Sequence, residues 1–321
     1  MRIALVGKGG SGKTTTAALL ARTLAAQGKT PLVIDGDINQ HMAAALHITD
    51  LPPELGNNLA DIKTILRGTN SRIASINQMV KTTPPGAGSH IIDLGNAHDP
   101  ILSTYSTLAN GLRLMRVGGF TEADLGTKCF HAKTGAIELI LNHMADTPNQ
   151  HTIVDMTAGA DAFASGLFTR FDLTLLVVEP TAKSVSVYTQ YKTYAQGHNI
   201  TLKAVGNKVM DSDDLAFLHA ACGDDLIGSF SQSAYIRKAE RGTPQPLDRL
   251  EDENTQTLAN IIHVLEAQKR DWQTYWQQGL HFHALNGSSW ASAAAGCDVT
   301  TQVDHAFLKD FPPPAQQHTA A

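Results

Sequence analysis

Apolar positions in this chain fall into two kinds of run. Short continuous runs recur at residues 3–6, 30–35, 112–117, 152–155, 172–178, 202–206 and 226–231. Strands buried on both faces read this way in a parallel sheet covered by helices. A weaker run at 90–94 is expected to add a short strand. Between these runs the spacing becomes helical: at 15–25, at Leu59, Ile62, Ile65 and Leu66, at 135–144, and at 184–196 with Val185, Tyr188, Tyr191 and Lys192. The alternation predicts a doubly wound, mainly parallel α/β sheet of roughly seven or eight strands with helices on both faces. The two tyrosines are expected to pack inside rather than stack on bases.

Two stretches break the pattern. Residues 50–110 are irregular beyond one amphipathic helix, with a loop at Pro84-Pro85-Gly86-Ala87-Gly88, and read as an insertion facing a partner or client. After Pro244 the composition shifts. Residues 1–246 are expected to form the main domain and 247–321 a helical C-terminal extension. A single helix is predicted from Glu251 to about Gln277, with Leu258, Ile261, Ile262 and Leu265 on its apolar face. From Gly279 the chain is rich in Ala, Ser and Gln, so His281-Phe282-His283 reads as a surface segment rather than a metal site. The last ten residues, which begin with the prolines at 312–314, are expected to be disordered.

Composition narrows the function. The chain has 321 residues, a formal charge of −5 and three cysteines, Cys129, Cys222 and Cys297. No basic run offers DNA a phosphate-neutralising surface, so nucleic acid is not an expected partner. The cysteines are too few and scattered for a disulfide framework, which fits a reducing cytoplasm. Met1-Arg2-Ile3 leads straight into a strand, so no signal peptide is expected, and no apolar run is long enough to span a bilayer.

The chemistry begins at Gly7-Lys8-Gly9-Gly10-Ser11-Gly12-Lys13-Thr14, set between a strand and a helix that opens at Thr15. This is the strand–GxxxxGK[ST]–helix order of a phosphate-binding loop. Its glycines let backbone N–H groups face phosphate, Lys13 reaches the β- and γ-phosphates, and the Thr14 hydroxyl ligates Mg²⁺. Asp155, at the end of the run 152–155, fits a second Mg²⁺ ligand acting through water. Gly159 is placed to bring a backbone N–H to the γ-phosphate, and Asp161 could instead cap a helix running through Phe168. Asp35 and Asp37 follow the second strand on the ligand side of the sheet. Asp37 is the catalytic candidate, and Asp35 the better one for a local structural role, although either could cap a helix starting near Gln40. Asn207-Lys208 follows the strand 202–206, and Asn207 could also be a turn residue.

Lys8, directly after the first glycine, makes the loop resemble the deviant Walker A of the MinD/ParA/nitrogenase iron-protein superfamily. The resemblance implies a homodimer in which Lys8 crosses to the partner's bound ATP. It also implies that Asp37 belongs to switch I and positions the attacking water, and that Asn207-Lys208 recognises the adenine edge. Ser231 stands where relatives usually carry proline.

The order of a strand at 112–117, the loop Cys129-Phe130-His131, a helix and Val154-Asp155-Met156-Thr157-Ala158-Gly159 is similar to CooC-type ATPases, which help load nickel into carbon monoxide dehydrogenase. That family carries Cys-x-Cys in the loop, with bound metal bridging the dimer. His131 replaces the second cysteine and is still a ligand type for Ni²⁺ or Zn²⁺. Two ligands per chain need two more from the partner. The other reading is a partly buried cysteine beside a surface histidine.

The resemblance thus implies an ATP-dependent metallochaperone or maturation ATPase with a client metalloenzyme. The alternative is a ParA/MinD-like positioning switch without metal chemistry. An iron-protein-type reductase is disfavoured, because residues 155–168 contain no cysteine for a cluster. A MinD-like membrane anchor is not expected, since the tail lacks a basic amphipathic helix.

Overall fold

The structure is a computed structural model and describes residues 1–119, 130–159, 163, 166–243 and 245–312. Eight strands form one sheet: β1 (Arg2–Gly7), β2 (Leu32–Gly36), β3 (Thr107–Ala109), β4 (Leu112–Arg116), β5 (Thr152–Met156), β6 (Leu173–Val178), β7 (Leu202–Val209) and β8 (Leu226–Ser231). Their order is β3-β4-β2-β5-β1-β6-β7-β8. Only β3, against β4, is antiparallel. The helices are α1 (Lys13–Ala26), α2 (Met42–Ala45), α3 (Leu59–Arg67), α4 (Pro100–Tyr105), α5 (Phe130–Asn142), α6 (Ala182–Ala195), α7 (Ser212–Cys222), α8 (Ala234–Glu240), α9 (Asp252–Glu266), α10 (Trp272–Asn286), α11 (Ser292–Ala295) and α12 (His305–Lys309).

Alternation along β1 explains the layers. Ile3 and Leu5 enter the core shared with α1 and α9, while Ala4 and Val6 enter the core shared with α3, α5, α6 and α7. Tyr188 and Tyr191 are buried in that second core, as the helical spacing predicted. At residues 90–94 the expected strand is reduced to one isolated bridge, Ile92 with Met144. Asp99 draws the segment off course, accepting from the Asp93 amide and pairing with His90. After Phe163 the chain makes a 3₁₀ turn, Gly166–Arg170, in place of a helix through Phe168.

The C-terminal segment departs most from expectation. The predicted helix 251–277 is two helices, α9 and α10, broken at residues 267–271. The break lets Arg270 turn inward, where it donates to Asp146 at 2.6 Å and to Asp172 at 2.8 Å. Asp271 then caps α10 through the amides of Gln273 and Thr274. Helix α10 runs to Asn286; His281 is exposed, as expected of a surface segment, but His283 is buried. His283 meets the Thr82 hydroxyl through Nδ1 and the Val299 carbonyl through Nε2, each at 2.9 Å. Residues 50–110 give Leu55, Ile62, Leu66 and Ile73 to the core and hold the C-terminal segment through Thr83–Gln302 and Ala87–Asp304 contacts. Residues 313–321 lie outside the described residues. Among those described, no helix is long and apolar enough to cross a membrane.

Candidate active site

The central strand β1 delivers the glycine loop. Parallel pairing sets Leu5 beside Asp155 on β5 and Gly7 beside Val177 on β6. The C-terminal ends of β1, β2, β5, β6 and β7 thus converge on one rim, the ligand side of such a sheet. Two glycines are forced by geometry. Gly7 has φ 145°, and a Cβ there would stand 2.6 Å from the Val177 carbonyl oxygen. Gly12 has φ 98°, and a Cβ there would strike the Asn207 amide. Thr14 and Thr15 follow in α1, whose first-turn N–H groups and dipole suit phosphate.

The structure brings together most of the expected residues. Thr14 Oγ1 donates to Asp155 Oδ2 at 2.5 Å. Burial pushes the Asp155 carboxyl up to about 7, opposed by that hydrogen bond and reinforced by the Asp35 charge. Its Oδ1 is buried with no hydrogen-bond partner among the described residues. A hydroxyl beside a buried carboxylate with a free oxygen fits a hard cation such as Mg²⁺. Ser11 Oγ is likewise buried and unpartnered. Asp35 takes the structural role: its oxygens accept from the Asp37 and Met42 amides at 3.3 and 3.0 Å. Burial lifts its carboxyl to about 6, against the pull of those amides. Asp37 is left at the rim, its Oδ1 accepting from the backbone and side chain of Asn39.

Several donors expected to face phosphate or base are spent within the protein in this conformation. Lys13 Nζ donates to the Lys8 carbonyl at 3.3 Å. The Gly159 amide donates to the Gly7 carbonyl at 3.2 Å, and Tyr191 OH donates to the Gly159 carbonyl at 2.8 Å. Asn207 Nδ2 donates to the Ser11 carbonyl at 2.7 Å, so its amide now braces the loop. Beside it opens a cavity of about 350 Å³, lined by Gly12, Thr15, Asn207, Ser231, Ile236 and Arg237 among others. Sequence reasoning missed Glu179, the residue after β6. Its carboxylate pairs with Lys8 at 3.3 Å and Lys208 at 2.6 Å. The one available signal was an acid at the end of an apolar strand.

Cys129 and Asp161 lie outside the described residues, and only the backbone of His131 lies within them. Among the described residues no group of three His, Cys, Asp or Glu could hold a metal ion.

The profile of the CobQ/CobB/MinD/ParA nucleotide-binding domain family matches residues 3–271. The chain belongs to this family. It is an ATPase of the MinD/ParA type, as the resemblance implied. Among its relatives is the carbon monoxide dehydrogenase accessory protein CooC of Rhodospirillum rubrum, 28% identical over 243 residues, 75% of this chain and 87% of that one. An uncharacterized ATP-binding protein of Methanocaldococcus jannaschii, MJ0823, is 25% identical over 273 residues, covering 83% of this chain and 99% of its own. The cell division ATPase MinD of Pyrococcus furiosus superposes with a TM-score of 0.54 at 16% identity, covering 82% of this chain and 98% of that one. McdA of Cyanothece gives 0.54 at 15% identity over 82% and 98%. At those identities the superpositions establish the family fold alone.

Proposed function

We propose that this chain is an ATP-driven dimeric switch in the maturation of a client metalloenzyme. The observation that carries the dimer is the position of Lys8. The second lysine of the loop stands at its open rim, 37% exposed, tied to Glu179 rather than to its own phosphate cradle. In a two-fold dimer such a lysine is free to reach the nucleotide of the facing chain. The likeness to CooC over three-quarters of the chain supports the accessory role.

In this reading ATP lies on Gly7 to Thr15, with its base against Asn207 and Lys208. Asp37 orients the attacking water and draws on its proton. The water oxygen bonds to the γ-phosphorus, the bond to the bridging oxygen breaks, and ADP leaves with that electron pair. Lys13 and the partner copy's equivalent of Lys8 stabilise the charge that develops. Thr14 and Asp155 would hold Mg²⁺, which would supply neutralisation of phosphate charge. Closure brings two Cys129/His131 pairs together as a four-ligand site for a transferred Ni²⁺ or Zn²⁺. The setting is the cytoplasm, with neither nucleic acid nor membrane as partner.

Equilibrium dialysis with Ni²⁺ or Zn²⁺, with and without ATP, tests this. The expected result is one metal ion per two chains with ATP, lost in Cys129→Ser. ATP hydrolysis with no metal bound at that stoichiometry would remove the metal role. Hydrolysis stimulated by a partner and indifferent to Cys129→Ser would then favour a positioning switch.

A further inference from the structure

One carboxylate answers two of the three lysines around the phosphate loop. Strand β6 pairs with β1 at Gly7–Val177 and with β7 at Val178–Gly206. The next residue, Glu179, therefore lies between two loops far apart in sequence, one carrying Lys8 and the other Lys208. Glu179 Oε2 accepts from Lys8 Nζ at 3.3 Å, and Oε1 from Lys208 Nζ at 2.6 Å. Lys208 Nζ also donates to the Gly10 carbonyl at 2.7 Å.

The acid is the fixed partner of this pair. Its amide donates to Ser184 Oγ at 2.9 Å, and its carbonyl accepts from the Thr181 amide at 2.7 Å. Both contacts anchor it to the start of α6. Burial pushes its carboxyl up, but Lys208 and then Lys8 outweigh burial and hold it below the usual range. The lysines are long and half exposed, so they are the parts that move. If Lys8 leaves, Lys208 remains, and the buried carboxylate is not left without a counter-charge. Release of Lys8 is thus reversible.

We infer that Glu179 is a positioning residue for Lys8: it keeps the lysine on its own chain and so competes with delivery of Lys8 to the nucleotide of a facing copy. This rests on the dimeric reading above. Each ion pair of this exposure is worth about two- to five-fold in an equilibrium. A two-fold dimer must open two of them, so their removal should favour closure by roughly ten-fold.

The test compares the full-length parent with Glu179→Gln, which keeps the shape and removes the charge. Before nucleotide is added, amine labelling at Lys8, read by mass spectrometry, should rise about three-fold in the variant. With ATP and Mg²⁺, the concentration at which half the chains dimerise, read by sedimentation, should fall about ten-fold. Labelling at lysines that Glu179 does not touch, such as Lys13 and Lys203, should stay within about two-fold; a merely structural defect would raise it there too. A parent that dimerises while Glu179→Gln leaves the midpoint or Lys8 labelling unchanged overturns this inference and leaves the dimeric reading intact. A parent that never dimerises with ATP overturns both.

Discussion

Lys8 and Lys13 share one loop, yet the structure gives them different fates. Lys13 is buried beneath the loop and Lys8 stands at its rim. Lys13→Ala should therefore cost at least about 100-fold in ATP affinity, measured by calorimetry. Lys8→Ala should leave that affinity within a few-fold and lower turnover by about 100-fold or more, measured as phosphate release. Asp155 makes a prediction in pH. Its carboxyl has an ordinary value of 3.8 and lies at about 7 in the folded chain. Between those values the folded chain keeps a proton that the unfolded chain has released, so this group's contribution to stability falls as pH rises. Its cost is absent below about pH 4 and complete above about pH 7. Buried His143, lowered to about 4, acts in the opposite sense, destabilising as pH falls through its ordinary value of 6.5. The clean readout is thus a difference. The stability of Asp155→Asn over the parent, by urea unfolding without Mg²⁺ or nucleotide, should widen by on the order of 2–3 kcal/mol from about pH 5 to about pH 8. At this scale the sequence was legible where chemistry is local. Gly7, Thr14 and Asp155 sit where their motifs put them. Glu179 was not legible, because both of its partners come from other strands.

The elements followed their periodicity wherever burial alone decides them. Continuous apolar runs became central strands, and Leu258, Ile261, Ile262 and Leu265 face the core from α9. The failures lie where a polar side chain overrides the pattern. Helical spacing carried the prediction straight through residues 267–271. What ends α9 there is Arg270, which enters a buried cluster with Asp146, Asp172 and Arg2. Burial pushes the Asp146 carboxyl up, but Arg2 and Arg270 outweigh it and hold it well below its usual range. Arg270→Ala would leave Asp172 without its counter-charge and Asp146 with Arg2 and the N-terminal ammonium alone, and should cost about 3–5 kcal/mol in urea unfolding. Asp271→Ala, which removes only the cap of α10, should cost about 0.5–2 kcal/mol. A larger loss for the cap than for the arginine would mean that the helix, not the charge cluster, anchors the C-terminal segment.

At the scale of the whole molecule, one chain presents a rim of donors turned inward: Lys8 to Glu179, Lys13 to Lys8, Gly159 to Gly7 and Asn207 to Ser11. In the proposed reading, nucleotide binding exchanges these contacts for phosphate and base. ATP with Mg²⁺ should accordingly convert the chain to a dimer in sedimentation, whereas ADP should leave it monomeric. The C-terminal segment shares this economy of contacts. Phe282 on α10 stacks edge-on against Phe168, which itself packs on Phe163 beyond Gly159. By itself the sequence determined the parallel sheet, the glycine loop and the acid that ends a strand at Asp155, because each depends on residues within one strand, loop or helix. It also carried the family, through Lys8. Only the tertiary structure decided the break before α10, the burial of His283 and the meeting of Lys8 with Lys208 at Glu179. Those depend on which strands become neighbours and in what register, and strand order is a property of the closed core rather than of any single stretch of chain.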